Sequence, residues 1–245
     1  MSPGPEIMNR PEILVGETVE GEYLERPNRF LVVARVWGER TQAHLPNPGR
    51  MKELLFPGVR VILRRANPIS SGAKPRKTSY DAVGVIRDGQ AISLDTRVPN
   101  RLIGVALSMG AIPELDGYPA IRPEFPYSGS RIDFCMESRD EICLLEVKSC
   151  TLVQGSVALF PDAFTERGRR HVNHLIQARG EGMRSCLLFM VQRTDAEKLS
   201  VNDETDPKFA EAVREAMGRG VEVYAYRSSF EPPRIVLRER MEVDI

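Results

Sequence analysis

The sequence predicts an α/β (α+β) protein in two parts: a small N-terminal β-barrel, then a mixed-sheet α/β domain. Three observations lead there. The 245 residues suit one large or two modest domains, and 42% are hydrophobic, enough for real cores. From Thr18 to about Asp95 short β-rich runs alternate with Gly and Pro. From Thr96–Arg101 onward, helical periods alternate with apolar strand-like runs, as in layered α/β folds. That change of texture sets the predicted domains at 1–94 and 95–245.

In the first part, Phe30 to Trp37, Gln42 to Leu45, Val59 to Leu63 and Ala82 to Ile86 are the strand candidates, with a short helical piece near Met51 to Leu55. Several short strands with one small helix point to an OB-fold. In the second part, Asn100 to Met109 carries Leu102, Ile103, Ala106 and Leu107 at helical spacing. Ala120 to Phe125, Ser130 to Glu137 and Glu141 to Val147 read as strands. A long helix runs from Asp162 or Ala163 to about Arg179, with Asp162 as its N-cap and Gly180 and Gly182 ending it. Ser185 to Gln192 is a buried strand, Pro207 to Gly218 a helix, and Val221 to Tyr226 and Arg234 to Leu237 late strands.

Lys plus Arg equal Asp plus Glu at 34 each, so any polyanion surface must be a local patch. The proline-broken first fifteen residues lack an apolar leader, and no long apolar run occurs. A soluble, cytoplasmic protein with no membrane partner is expected. Cys135, Cys143, Cys150 and Cys186 lie in or beside apolar runs without Cys-x-x-Cys spacing. They read as buried free thiols.

The chemistry concentrates between residues 130 and 151. Glu146 and Lys148 are two apart on a strand whose neighbours Leu144, Leu145 and Val147 are apolar, so both side chains leave one face. Asp133 lies on the preceding run, and a hairpin would bring it to them. Two carboxylates and a lysine suit metal-dependent phosphodiester cleavage. Asp133 and Glu146 would bind Mg²⁺ or Mn²⁺, with the Val147 carbonyl as a further oxygen. Lys148 would orient the attacking water or offset charge on the phosphate. An ordinary strand-end salt bridge is the plain alternative. Glu124, one strand earlier, is a candidate third acid and Glu114 a weaker one.

Two basic sets suggest nucleic acid. Arg167, Arg170, His171 and His174 share a helix face, where stacked like charges favour an anionic partner. Arg131 lies beside Asp133. In the first part Arg50, Lys52, Arg60, Arg64, Arg65, Lys74, Arg76 and Lys77 face only Glu53 in the same stretch, with Phe30, Trp37 and Tyr80 as stacking candidates. A solvated basic rim and an aromatic core are the alternatives.

Several segments carry a family resemblance. They are His44 to Met51 (HLPNPGRM), Arg76-Lys77, Asn100 to Leu102, Ser130 to Phe134 (SRIDF), Glu146 to Leu152 (EVKSCTL) and Phe160 to Gly168 (FPDAFTERG) with His171. Together they resemble the sugar fermentation stimulation protein family along nearly the whole chain. The resemblance implies an OB-fold followed by a PD-(D/E)xK nuclease-like domain, with DNA binding and a suspected role in regulating sugar utilisation. It assigns Asp133, Glu146 and Lys148 to a nuclease-type triad, with Glu124 as an addition. Leu45 and Pro48 depart from the family's usual Cys-Pro-Asn-Thr-Gly loop. Two functions follow as expectations: a Mg²⁺- or Mn²⁺-dependent nuclease on DNA, or RNA, and a non-cleaving DNA-binding regulator. The oligomeric state stays open, a homodimer included.

Overall fold

The computed structural model describes residues 10–66 and 78–245. The first elements are β1 (Glu12–Leu14), β2 (Thr18–Asn28), β3 (Leu31–Val36), β4 (Glu39–His44), β5 (Arg60–Arg65), β6 (Tyr80–Arg87) and β7 (Gln90–Ser93). β2 pairs antiparallel with both β3 and β5, β3 pairs with β4, β4 runs parallel to β6, and β6 closes onto β5. Five strands thus form a closed ring with the one parallel pairing of an OB-fold. β2 can serve both halves because register shifts near Glu25 bend it. Val32, Ala34, Leu45, Leu54, Val61, Leu63 and Val85 fill the interior. Full burial of Leu45 makes its position one of packing. The helical piece expected at Met51 to Leu55 is a single hydrogen-bonded turn, Leu55 N–H donating to the Met51 carbonyl at 2.9 Å. Met51 has φ +47°, which no helix continues through.

The second part runs α1 (Val98–Ser108), β8 (Ala120–Tyr127), β9 (Ser130–Glu137), β10 (Ile142–Cys150), β11 (Val153–Gln154), β12 (Val157–Phe160), α2 (Glu166–Gly180), β13 (Arg184–Val191), β14 (Lys198–Val201), α3 (Pro207–Gly218), β15 (Glu222–Glu231) and β16 (Arg234–Val243). β8, β9 and β10 form an antiparallel meander, β10, β13 and β15 are parallel, and β16 returns antiparallel. Alternation along β10 splits the core. Cys143, Leu145 and Val147 face the α1 side with Leu102 and Ile103, while Leu144 faces the α2 and α3 side with Val172, Leu175 and Val213. β11, β12 and β14 were not expected; each is short and β12 and β14 gain their places by pairing with distant strands.

The long helix starts later than expected. Thr165, not Asp162, is its N-cap and accepts from Gly168 N–H at 3.0 Å. Asp206, buried, caps α3 through Phe209 N–H at 3.1 Å and also accepts Thr165 N–H at 2.8 Å. One carboxylate therefore fixes the starts of both helices on the same sheet face.

The two parts share a seam. Phe230 of β15 pairs with Ala91 of β7, and β1 adds to β16. Asn47 Nδ2 donates to the Leu94 carbonyl at 2.9 Å and Thr96 Oγ1 to the Pro46 carbonyl at 2.9 Å. The first bond ties the 46–50 loop to the end of the barrel, and the second holds it against the start of the second part. All four cysteines are buried and free, and no helix among the described residues is long and apolar enough to cross a membrane.

Candidate functional site at a strand fork

β9 and β10 pair as far as Phe134 with Leu145. Past that pair the strands part. The Val147 N–H, facing the fork, donates instead to Asp133 Oδ2 at 2.7 Å, and Asn100 Nδ2 of α1 donates to Oδ1 at 2.6 Å. Asp133 is thus fixed where the ladder opens. On the α2 side of β10, Glu146 and Lys148 emerge together, as a two-residue spacing requires. Lys148 Nζ donates to Glu146 Oε1 at 2.5 Å, and His171 Nδ1 stands 2.6 Å from the same oxygen. Arg167 Nε donates to His171 Nε2 at 3.4 Å, which assigns the ring hydrogen to Nδ1.

The electrostatics follow from burial. Desolvation, with the Glu146 charge nearby, pushes the Asp133 carboxyl up to about 6, against the Val147 amide, Lys148 and Asn100. Glu146 is deeper, its side chain 3% exposed. Burial alone would raise it, but Lys148 and His171 outweigh that and hold it below the usual carboxylate range. Burial, then His171 and Arg170, lowers the neighbouring His174. Glu146 Oε2 is buried with no hydrogen-bond partner. An orphaned carboxylate oxygen within electrostatic reach of a second buried carboxylate is a donor set that a hard divalent cation suits. No group of three or more His, Cys, Asp or Glu among the described residues is placed to hold a metal ion by protein ligands alone. A cation here would take further oxygens from water or a phosphate, as Mg²⁺ prefers.

The other expected residues separate. Register places Glu124 across from Asp133, between the pairs Pro123 with Phe134 and Phe125 with Ile132. Its φ of +53° is irregular within a continuous β8, and its side chain is 63% exposed, 3.8 Å from Arg131. Glu114 is held away by Tyr226 and Arg240, each at 2.6 Å. His171, expected on a solvent-facing basic face, is 4% exposed and spent on Glu146. Arg167 and Arg170 stay exposed. The basic stretch of the barrel divides. Arg64 is bonded to Asp81 at 2.7 Å. Arg65 lines a hollow with Trp37 and Pro232. Arg50 and Lys52 line a cleft between the domains, and Lys74, Arg76 and Lys77 lie outside the described residues.

That cleft, about 850 Å³, holds what the sequence reading missed. Arg26, Arg29, Arg50 and Lys52 stand on the barrel side, Lys148, Phe164 and Arg167 on the other, and Asp162 is the single acid in its lining. Arg26 donates to the carbonyls of Arg29, Asn47 and Arg50 at 2.8, 3.0 and 2.8 Å, folding the loop into a wall. Gly49 lets the walls meet: a Cβ there would lie 2.7 Å from Asp162 Oδ2. Asp162, displaced from its expected capping role, sits at that contact. Burial raises its carboxyl, and its own and the Arg50 amide with the Arg26 and Arg50 charges oppose the rise. Asn100 is the other residue missed; its only sequence signal was a place among the family markers.

A family profile described as the sugar fermentation stimulation protein RE domain matches residues 97–234. The chain belongs to the sugar fermentation stimulation protein family. A second profile, the family's N-terminal OB domain, matches residues 24–94. Family homologues from Moorella thermoacetica and Methanothermobacter thermautotrophicus are each 44% identical to the chain. The first covers 91% of it and 95% of the relative, the second 87% of each. The solved family protein of Pyrococcus furiosus, in complex with Ca²⁺, superposes with a TM-score of 0.86. It is 29% identical, over 95% of this chain and 98% of that one.

Proposed function

We infer that this family member is a divalent-metal-dependent nuclease acting on nucleic acid, DNA or RNA, with Mg²⁺ or Mn²⁺ held by Asp133 and Glu146. The observation that carries the reading is the strand fork. It sets a strained carboxylate beside a buried carboxylate with one oxygen orphaned, and aims a lysine at the same point. The Ca²⁺ complex of the Pyrococcus furiosus relative supports divalent-cation binding.

A bound cation supplies Lewis acidity to a phosphoryl oxygen and acidifies a water. This chain's residues do the rest. Asn100 and the Val147 amide orient Asp133, and His171 fixes Glu146. The Lys148 ammonium, beside the carboxylates and facing the cleft, orients the attacking water and offsets negative charge as the phosphate reacts. Glu124 contributes from the rim or not at all, given its exposure.

A second reading is a DNA-binding protein that does not cut, which is where a role in sugar utilisation would fit. One observation favours it: Glu146 Oε1 already accepts from both Lys148 Nζ and His171 Nδ1. Incubating plasmid, single-stranded DNA and RNA with the protein in Mg²⁺, Mn²⁺ or EDTA separates the readings. The nuclease reading expects metal-dependent cleavage that Lys148→Ala abolishes, a loss of at least about 100-fold. Intact substrates in metal sink it in favour of the second, and a Lys148→Ala protein that cuts as well as the parent removes Lys148 and its site from the cleavage.

A further inference from the structure

The cleft and a second hollow share Arg167 as a lining residue. The hollow, about 650 Å³, is lined by Ser128, Ser130, Arg131, Arg167, Arg170 and His171. Glu146 lies between the two openings through its partners: Lys148 lines the cleft and His171 the hollow. Positive charge therefore runs continuously from Arg29, Arg50 and Lys52, over Arg167, to Arg170 and Arg131, and the carboxylate pair sits midway. Arg29, Arg50 and Lys52 are exposed and have no salt-bridge partner among the described residues.

Two features decide what polyanion fits. The cleft's volume of about 850 Å³ is room for a few nucleotides of an extended strand. Phe164, a cleft-lining residue, is 65% exposed, and Phe30, next to Arg29 on the barrel side, is 49% exposed. Exposed aromatic rings along a basic track are stacking platforms for unpaired bases. In a duplex those base faces are already stacked.

We propose that a single strand of nucleic acid threads the interdomain cleft, stacks a base on Phe164, crosses Arg167 and leaves through the Arg131–Arg170 hollow. The phosphate at the crossing faces Asp133 and Glu146. The proposal extends the nuclease reading, but the binding it states needs no cleavage.

The test is fluorescence anisotropy on the full chain in EDTA, with labelled single-stranded DNA, single-stranded RNA and blunt duplex of about 12 nucleotides. Either single strand, or both, binds at least about tenfold tighter than duplex, and the better of the two identifies the sugar preferred. Phe164→Ala weakens single-strand binding about fivefold or more and leaves duplex binding unchanged. Arg50→Glu weakens both and flattens the salt dependence. Arg170→Glu weakens the long strand but not one of about four nucleotides, which the cleft alone would hold. Duplex binding as tight as single strand, or a Phe164→Ala protein that binds like the parent, overturns the proposal. Tight Phe164-dependent binding without cleavage in metal removes only the nuclease reading. Cleavage with Phe164-independent binding removes only this one.

Discussion

Asp133 shows how one carboxylate carries the site's tension. Its ordinary value of 3.8 rises to about 6 because it is desolvated beside Glu146. The native chain then holds that proton more tightly than the unfolded chain does. Stability therefore falls as pH rises from about 4 to about 6 and stays lower above. Asp133→Asn removes the penalty, less one hydrogen bond, since an amide oxygen cannot accept as two carboxylate oxygens do. In chelator near neutral pH, denaturant unfolding is expected to show the variant more stable by about 1 kcal/mol, with the gain vanishing near pH 4. Added divalent cation reverses the order by stabilising only the parent. A variant no more stable than the parent at either pH would show that Asp133 bears no such strain. Glu146 behaves oppositely, since Lys148 and His171 compensate its burial.

Among the elements, α2 depends on a partner 41 residues further along the chain. Its N-cap Thr165 is itself held by Asp206, which also caps α3. Asp206→Ala strips two backbone donors at once, one of them buried, and is expected to lower stability by about 2–3 kcal/mol. Asp206→Asn keeps one acceptor and recovers about half. Because α2 carries Arg167 and His171, the alanine variant should also lose nucleic-acid affinity at temperatures where it is still folded. Thermal unfolding with parallel binding curves checks both, and an unchanged midpoint would mean that Thr165 alone sets the helix start. The helix's period was legible in its sequence; its start was not. Asp162 has the chemistry of a cap, but the chain turns at Pro161 and spends Asp162 on the cleft wall.

Across the whole molecule, the seam decides how the site is completed. A Cβ at Gly84 of β6 would lie 2.5 Å from Phe230 Cε1 and 2.9 Å from the Ile92 carbonyl. Gly84→Ala is therefore expected to cost about 1–3 kcal/mol by forcing the barrel off β15. Phe230→Ala in the same chain relieves the ring clash, so the double variant should be less destabilised than the sum of the singles. Strict additivity would show that the seam does not couple them. Loosening here should also weaken nucleic-acid binding, because the barrel carries Arg29, Arg50 and Lys52 to the cleft.

The sequence by itself determined what repeats locally. Alternation on β10 put Glu146 and Lys148 on one face, helical spacing made α1 and α3, and Gly-Pro punctuation with short β-rich runs marked the barrel. Those signals lie within a few residues, where backbone period and side-chain polarity suffice. Tertiary structure decided everything that needed two distant segments. It opened the β9–β10 fork and brought Asn100 to Asp133. It turned His171 inward and Glu124 outward, and it divided the barrel's charges between Asp81 and the cleft. A basic residue's partner is chosen by three-dimensional neighbours, so Arg64 and Arg50 look alike in the chain and differ only once it is folded.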